Sequence, residues 1–476
     1  MTKDLMAKTL FAADALLPGG WARDVLLRWD EAGTLTEATD GTAASTLAAG
    51  VPRAAGPVLP GLPNLHSHAF QRAFAGLTEY RGQNPEGGQD SFWSWRTLMY
   101  RFAAKLGPAQ VESIATWLYT EMLEAGYTSV CEFHYVHHDT DGRPYADDAT
   151  LALGLLRAAE ATGIGLTLLP VLYQTSGFGG LPPNEGQRRF IRSTASMLAL
   201  LERLRPLCAA QGAHSARLGL APHSLRAVPP EALRDALAGL AALDATAPVH
   251  IHIAEQTGEV DACLAWSGQR PVEWLLDHAP VDARWCLVHA THMTPDEYRR
   301  AATTGAVAGL CPSTEANLGD GLFDLPAWLA ANGAWGVGSD SHATVNAAEE
   351  LMLLEYGQRL QRRERNVLAS AVEPQVATAM TLAAVAGGAQ AAGRPVAGLA
   401  PGQRADFVVL DPAHLALAGL TAPEMLSAHV FASHRTSAIA EVHVGGVRRV
   451  QAGRHGRHEA AAAAFVAVRR QLLHGT

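Results

Sequence analysis

VLPGLPNLHSH, residues Val58–His68, is the stretch on which the fold turns: an apolar run, broken only by small and turn-forming residues, that ends in His-x-His. In an extended strand, residues i and i+2 point to one face, so His66 and His68 present their imidazoles together at the strand's C-terminal end. Seven further short apolar runs follow at Thr128–Phe133, Leu166–Leu172, Arg217–Ala221, Val249–Ile253, Trp285–His289, Ala306–Leu310 and Trp335–Gly338. Amphipathic or Ala/Leu-rich segments such as Pro108–Ala125, Ala146–Thr162 and Pro229–Leu243 lie between them. This alternation predicts a parallel sheet with crossover helices. Eight such units, counting Val58–Leu65 as the first strand, predict a (β/α)8 TIM barrel rather than an open doubly wound sheet.

The ends read differently. Residues 1–57 carry short β segments around the turn signals Pro18-Gly19-Gly20 and Glu31-Ala32-Gly33. GQRADFVVLD (Gly402–Asp411) is a turn into a strand, and AIAEVHVGGVRRV (Ala438–Val450) is a hairpin around Gly445-Gly446. The expected division is a barrel over residues 58–394, with residues 1–57 and 395–476 meeting in one small β-sandwich beside it. HEAAAAAFVAVRRQLL (His458–Leu473) reads as a terminal packing or interface helix.

With 476 residues, 48% hydrophobic and 17% charged, the chain can bury a large core. A net charge of −9, and no Lys/Arg run able to track a phosphate backbone, argue against nucleic acid as a partner. No apolar run approaches the ~20 residues of a membrane helix, so no membrane partner is expected. Five dispersed cysteines (Cys131, Cys208, Cys263, Cys286, Cys311) without C-x-x-C spacing suit free thiols in a reducing compartment. The acidic Asp4 and Asp14 argue against a signal peptide, and the expected location is cytoplasmic.

Polar residues that carry chemistry cluster at strand ends. PVHIHIAE (Pro248–Glu255) ends the fifth strand, where His252 offers another nitrogen and Glu255 a carboxyl for proton transfer. His250 shares a face with His252 one pleat deeper and reads as a core histidine. LVHATH (Leu287–His292) ends the sixth strand; His289 could bind a metal or hydrogen-bond a water or leaving group. GSDSH (Gly338–His342) ends the eighth, where Asp340 could both ligate an ion and take a proton from its water. Barrel closure brings these four ends around one mouth, the face on which barrel active sites form. Nitrogen and oxygen donors without thiolate suit one Zn2+, with Fe2+ or Mn2+ as alternatives. Zinc supplies hydroxide near neutral pH by lowering the pKa of water to about 7.

These residues and their flanks carry a resemblance. HSHAFQRAFAG (His66–Gly76), DSFWSWRTLMY (Asp90–Tyr100), CEFHYVHH (Cys131–His138), APHSLRAV (Ala221–Val228), HIAEQ (His252–Gln256), VHATH (Val288–His292) and LCPSTEANLGDGLF (Leu310–Phe323) together resemble the formimidoylglutamate deiminase family, in the deaminase branch of the amidohydrolase superfamily. The resemblance implies one zinc held by His66, His68, His252 and Asp340, with His289 contacting water or the substrate nitrogen and Glu255 shuttling protons. It implies a small dicarboxylate substrate, N-formimino-L-glutamate, hydrolysed to N-formyl-L-glutamate and ammonia in histidine degradation. Arg96 and Arg226 would hold the carboxylates, since a guanidinium fork binds a carboxylate through two hydrogen bonds. Gln71, Tyr135 and His223 would add contacts, and the assembly would be a homodimer. His137, His138, His292 and His342 read as loop residues or residues behind the site, and Trp93 and Trp95 as a lid or packing element.

Three rival readings exist. A deaminase of an aromatic base, of the guanine or cytosine type, could use the same ion, although paired arginines fit it poorly. A binuclear hydrolase of the dihydroorotase type needs a lysine on strand four, and ARLGLAPHSLR (Ala216–Arg226) has none. A non-catalytic scaffold would not be expected to keep all four ligands together with Glu255 and His289.

Overall fold

The computed structural model describes residues 8–79, 92–212, 214–433 and 436–474; Asp90, Ser91 and the side chain of Trp93 lie outside the described residues. The chain opens with strands β1 (Thr9–Leu17) and β2 (Gly20–Trp29), antiparallel across the Pro18-Gly19 turn. β3 (Leu35–Thr39) pairs with β2, and β4 (Val58–Pro60) pairs with β1 in parallel.

The apolar run Val58–Leu65, expected to form one strand, is two. β4 belongs to the terminal sheet, while β5 (Leu62–Ser67) starts the parallel array. The break at Gly61 has a steric cause. Its N–H is donated to the Asp406 carbonyl at 3.0 Å, and a Cβ there would drive into the Thr128 side chain. A bare backbone is what allows the chain to pass from one sheet to the other at this point.

The parallel strands continue as β6 (Tyr127–His134), β7 (Gly165–Leu172), β8 (Ala216–Leu218) and β9 (Ala221–Pro222). The expected fourth strand is thus interrupted, because Leu220 leaves β7 and bridges instead to Val249, donating its N–H to Pro248 O at 3.0 Å. Then come β10 (Val249–Ile253), β11 (Trp285–His289), β12 (Val307–Leu310) and β13 (Ala334–Val337). They form two arcs, β5-β6-β7-β8 and β10-β11-β12-β13, joined by the single parallel bridges Leu220↔Val249 and Ser67↔Asp340. The fold is therefore α/β and TIM-barrel-like. Strands β5, β6, β7, β10, β11 and β12 are buried at every residue, and β7, β11 and β12 accordingly run largely apolar without alternation.

β14 (Phe407–Leu410), β15 (Ile439–Val444), β16 (Val447–Gln451) and β17 (Arg454–His455) complete a separate eight-stranded sheet ordered β17-β16-β15-β14-β4-β1-β2-β3. Its far edge curls back on the approach to β14: Leu35 donates its N–H to Gln403 O at 2.7 Å, and Gly402 donates to Leu35 O at 2.8 Å. The curl encloses a second core that includes Leu10, Val25, Leu27, Trp29, Leu35 and Phe407. The C-terminal helix His458–His474 packs on the helix Pro108–Glu124, with Trp117 and Phe465 stacked at 6.0 Å. All five cysteines are buried and unpaired by disulfide. Among the described residues, no helix is long and apolar enough to cross a membrane.

Candidate metal and substrate site

Four donor atoms meet where the two arcs join. His66 Nε2 lies 3.2 Å from His68 Nε2 and 3.0 Å from His252 Nε2, and Asp340 Oδ1 lies 3.4 and 3.3 Å from the His66 and His68 nitrogens. Metal–donor bonds of about 2.0–2.2 Å in a tetrahedron give donor–donor edges of about 3.3–3.6 Å. The observed spacings are close to that edge, so one divalent ion fits among the four. All four side chains are buried.

The imidazoles are prepared for ligation. Burial pulls the pKa of His66, His68 and His252 below the usual histidine value, so each ring is held neutral. His68 donates Nδ1–H to Phe133 O at 2.9 Å, and His252 donates Nδ1–H to His223 O at 3.2 Å. Those bonds fix the tautomer and leave the Nε2 lone pairs facing one another across the gap.

Backbone geometry explains how Asp340 arrives. His68 donates its N–H to Asp340 O at 3.2 Å, and Asp340 donates to His66 O at 3.0 Å. The continuation of β13 is thereby laid along the end of β5. Gly338 permits the approach, since a Cβ there would stand 2.7 Å from His66 N and 2.8 Å from its carbonyl oxygen. Non-glycine residues in the left-handed region gather here: Ala254 (φ +49°), His289 (+64°), Ala290 (+47°), Asp340 (+43°) and His342 (+59°). Each such residue costs of order 1–3 kcal/mol, and they are concentrated at three strand ends around the donor set.

Beneath the ligands lies a polar layer that sequence reasoning did not single out. Glu132 accepts from Ser67 Oγ and from Ala69 N–H, both at 2.7 Å, and from Tyr119 Oη at 3.2 Å, clamping the backbone on either side of His68. His342 sits between Ser67 Oγ (3.2 Å) and Ser339 Oγ (3.0 Å), behind the ligands as expected. His250 bonds Ala391 O at 2.8 Å in the core, and His292 bonds Asp320 O at 2.9 Å. His137 and His138 bond the carbonyls of Val171 (2.9 Å) and Ile191 (2.8 Å), away from the donors.

Above the ligands opens a cleft of about 560 Å³, counting its solvent-open part. Gln71, Arg96, Tyr135, His223, Arg226, Glu255, His289 and Asp340 all line it, together with Phe92, Trp95, Tyr100 and Tyr173. Trp95 thus faces the cleft while also packing on Phe74 and Phe92. Gln71 donates to Tyr135 Oη at 3.0 Å, and the Arg96 guanidinium lies 5.6 Å from the Tyr100 ring centre. Glu255 is buried, and that burial raises its carboxyl pKa, aided by the like charges of Asp340 and Glu259 and opposed by His289. His289 Nε2 stands 3.8 Å from Glu255 Oε1 and 3.6 Å from Asp340 Oδ2, while Nδ1 is held 3.2 Å from Glu315 Oε1. Burial works against charge on His289, but Glu255, Glu315 and Asp340 outweigh it and push the imidazole up to about 10.

The chain has recognisable relatives. The model of the amidohydrolase family matches residues 58–449. Over 464 residues the chain is 54% identical to formimidoylglutamate deiminase of Pseudomonas aeruginosa, covering 98% of this chain and 99% of that protein. It is 30% identical over 425 residues to 8-oxoguanine deaminase of the same organism, covering 86% of this chain and 88% of that one. The crystal structure of an amidohydrolase from Brucella melitensis superposes with a TM-score of 0.90 at 47% identity, covering 98% of this chain and all of that one. A family match over most of the chain, and a near-full-length relative at this identity, agree with the strand-end donor set: this chain belongs to the amidohydrolase family.

Proposed function

We propose that the protein hydrolyses N-formimino-L-glutamate to N-formyl-L-glutamate and ammonia, as a metal-dependent deiminase in histidine degradation. One observation carries the reading. A four-donor metal cluster, an acid and a histidine open onto a cleft whose wall also holds two arginines, in a chain 54% identical to a formimidoylglutamate deiminase. A substrate with two carboxylates explains why cations face a site otherwise suited to C=N hydrolysis.

His66, His68, His252 and Asp340 would hold the ion, and three neutral imidazoles plus a carboxylate suit Zn2+, with Fe2+ or Mn2+ also compatible. A bound divalent ion supplies Lewis acidity that lets a water ionise near neutral pH. Glu255 accepts the proton released as the water's oxygen attacks the formimino carbon, and returns it to the terminal nitrogen. His289 and Asp340 orient the attacking oxygen. As the C–N bond breaks, Glu255 passes the remaining hydroxyl proton to the same nitrogen, so that ammonia leaves and the formyl C=O forms. Arg96 and Arg226, with Gln71, Tyr135 and His223, hold the carboxylates.

Deamination of an aromatic base is the second reading, motivated by the 30% identity to 8-oxoguanine deaminase. A neutral base offers the arginines no carboxylate. Ammonia release from N-formimino-L-glutamate, measured beside guanine, cytosine and N-formimino-glycine, separates the two; release from a base alone overturns our reading.

The same reading extends to architecture. The two arcs close as a (β/α)8 barrel over about residues 61–394, and the curled terminal sheet forms a β-sandwich, supported by its separate core. β4 goes with that sandwich, which moves the expected boundary at residue 58 by three residues. The enzyme acts in the cytoplasm as a homodimer, which sedimentation of the metal-loaded protein tests.

A further inference from the structure

Two tyrosines that line the cleft are not absorbed by the roles above. Tyr100, on the helix Phe92–Ala103, and Tyr173, just past β7, share a buried neighbour, Gln187. Gln187 Nε2 donates to Tyr173 Oη at 2.6 Å and reaches Tyr100 Oη at 3.4 Å. The orientation of this amide is dictated from its other side, because Gln187 Oε1 accepts the backbone N–H of Asn184 at 2.9 Å. Flipping the amide would set an NH2 group against that N–H.

Hydrogen-bond polarity then follows. An amide NH2 donates and cannot accept, so neither phenol can give its hydrogen to Gln187. Tyr173 and Tyr100 are hydrogen-bonded to each other, so one hydrogen is spent between them and the pair keeps a single O–H, whose open side is the cleft. Tyr173 packs edge-on to His223 with ring centres 4.6 Å apart, and both Arg226 and Arg96 bear on its hydroxyl electrostatically. Burial keeps that hydroxyl protonated far above neutral pH. A donor-only hydroxyl beside two guanidinium groups matches a carboxylate and mismatches an amide NH2 or a methyl group.

We infer that Tyr173, with Tyr100 beside it, is a specificity-determining donor to one substrate carboxylate, and that Gln187 is the positioning residue that turns the phenol hydrogen toward the cleft. The inference rests on the dicarboxylate reading above and names which neutral groups enforce it.

The test uses metal-loaded protein with N-formimino-L-glutamate, N-formimino-glycine and N-formimino-4-aminobutyrate, so that each short substrate lacks one carboxylate. Tyr173→Phe is expected to raise KM for the full substrate about tenfold or more with kcat within about threefold. It should raise KM equally for one short substrate and leave the other unchanged, which identifies the carboxylate held. Gln187→Glu, which replaces the donor by an acceptor, should reproduce that pattern. Calorimetric binding of glutarate to the same proteins should weaken in parallel, without recourse to turnover. An unchanged KM in Tyr173→Phe, or equal losses with all three substrates, overturns the inference. Wild-type protein that ignores all three compounds overturns the dicarboxylate reading instead, and metal content equal to wild type in both variants shows that folding is intact.

Discussion

His289 Nδ1 donates to Glu315 Oε1 at 3.2 Å, and the same carboxylate oxygen accepts the Cys311 backbone N–H at 2.8 Å. The strand-six histidine is thus held from behind by a residue anchored at the end of strand seven. Its other nitrogen is left to face Glu255 and Asp340.

Replacing Glu315 by Gln keeps an acceptor for the ring but removes a negative charge that favours protonated His289. Metal content should stay at the wild-type level while kcat/KM falls about tenfold to a hundredfold. Since the lost charge was raising the imidazole pKa, the alkaline limb of the pH–rate profile should move to lower pH. An unmoved limb would detach Glu315 from His289 in function.

Among the described residues lining the cleft, Glu255 is the one carboxyl besides Asp340. Glu255→Gln keeps the shape and cannot carry a proton, so turnover should drop by about 10²–10⁴-fold with metal retained. Elemental analysis beside steady-state kinetics checks this, and near-normal turnover removes Glu255 as the shuttle.

His252 supplies one corner of the donor set from a different strand than His66 and His68. His252→Ala should abolish stoichiometric metal uptake. Treating wild-type protein with a chelator should abolish activity, restored by Zn2+ in wild type and not in the variant. Full metal occupancy in His252→Ala would break the four-donor assignment.

Arg226 lines the cleft and is buried. Arg226→Met keeps length and apolar bulk while removing the guanidinium. KM for N-formimino-L-glutamate should rise at least about a hundredfold, as expected for a lost charge-assisted pair, with metal content unaffected. An unchanged KM counts against a carboxylate contact.

Glu350 lies away from the cleft and accepts from Ser313 Oγ at 2.5 Å and Ser313 N–H at 2.9 Å. Burial, only partly offset by those bonds, pushes its carboxyl from 4.5 up to about 8. Between those values the folded chain binds a proton that the unfolded chain releases. The stabilisation is complete below pH 4.5 and is lost as pH rises through about 8. Calorimetry from pH 6 to 9 should show the wild-type Tm falling by several degrees relative to Glu350→Gln, which stays neutral throughout. Parallel Tm curves would contradict the raised pKa.

Much of this molecule is legible in one dimension. Strand residues buried on both faces are largely apolar, so β7, β11 and β12 announce themselves as nearly unbroken runs. Histidines interrupting such runs at their C-terminal ends cost solvation unless something uses them, and His66, His68, His252 and His289 stand out for that reason. The strand-to-strand alternation was likewise enough to expect a parallel α/β array with its functional mouth at one end.

Other features depend on partners remote in sequence. That Val58–Pro60 serves the terminal sheet follows from Asp406 and Thr128 meeting Gly61, contacts invisible from the apolar run itself. Glu132, Glu315 and Gln187 look like ordinary polar residues in the sequence. They acquire roles only because folding buries them against Ser67, His289 and Tyr173, where burial leaves a polar side chain no solvent and forces it to choose a partner. Residue type and period determined which elements form and which side chains could bind a metal, because those are local properties of the chain. Which polar groups face one another, and so which atoms are donors, acceptors or ligands at the site, was decided by tertiary packing.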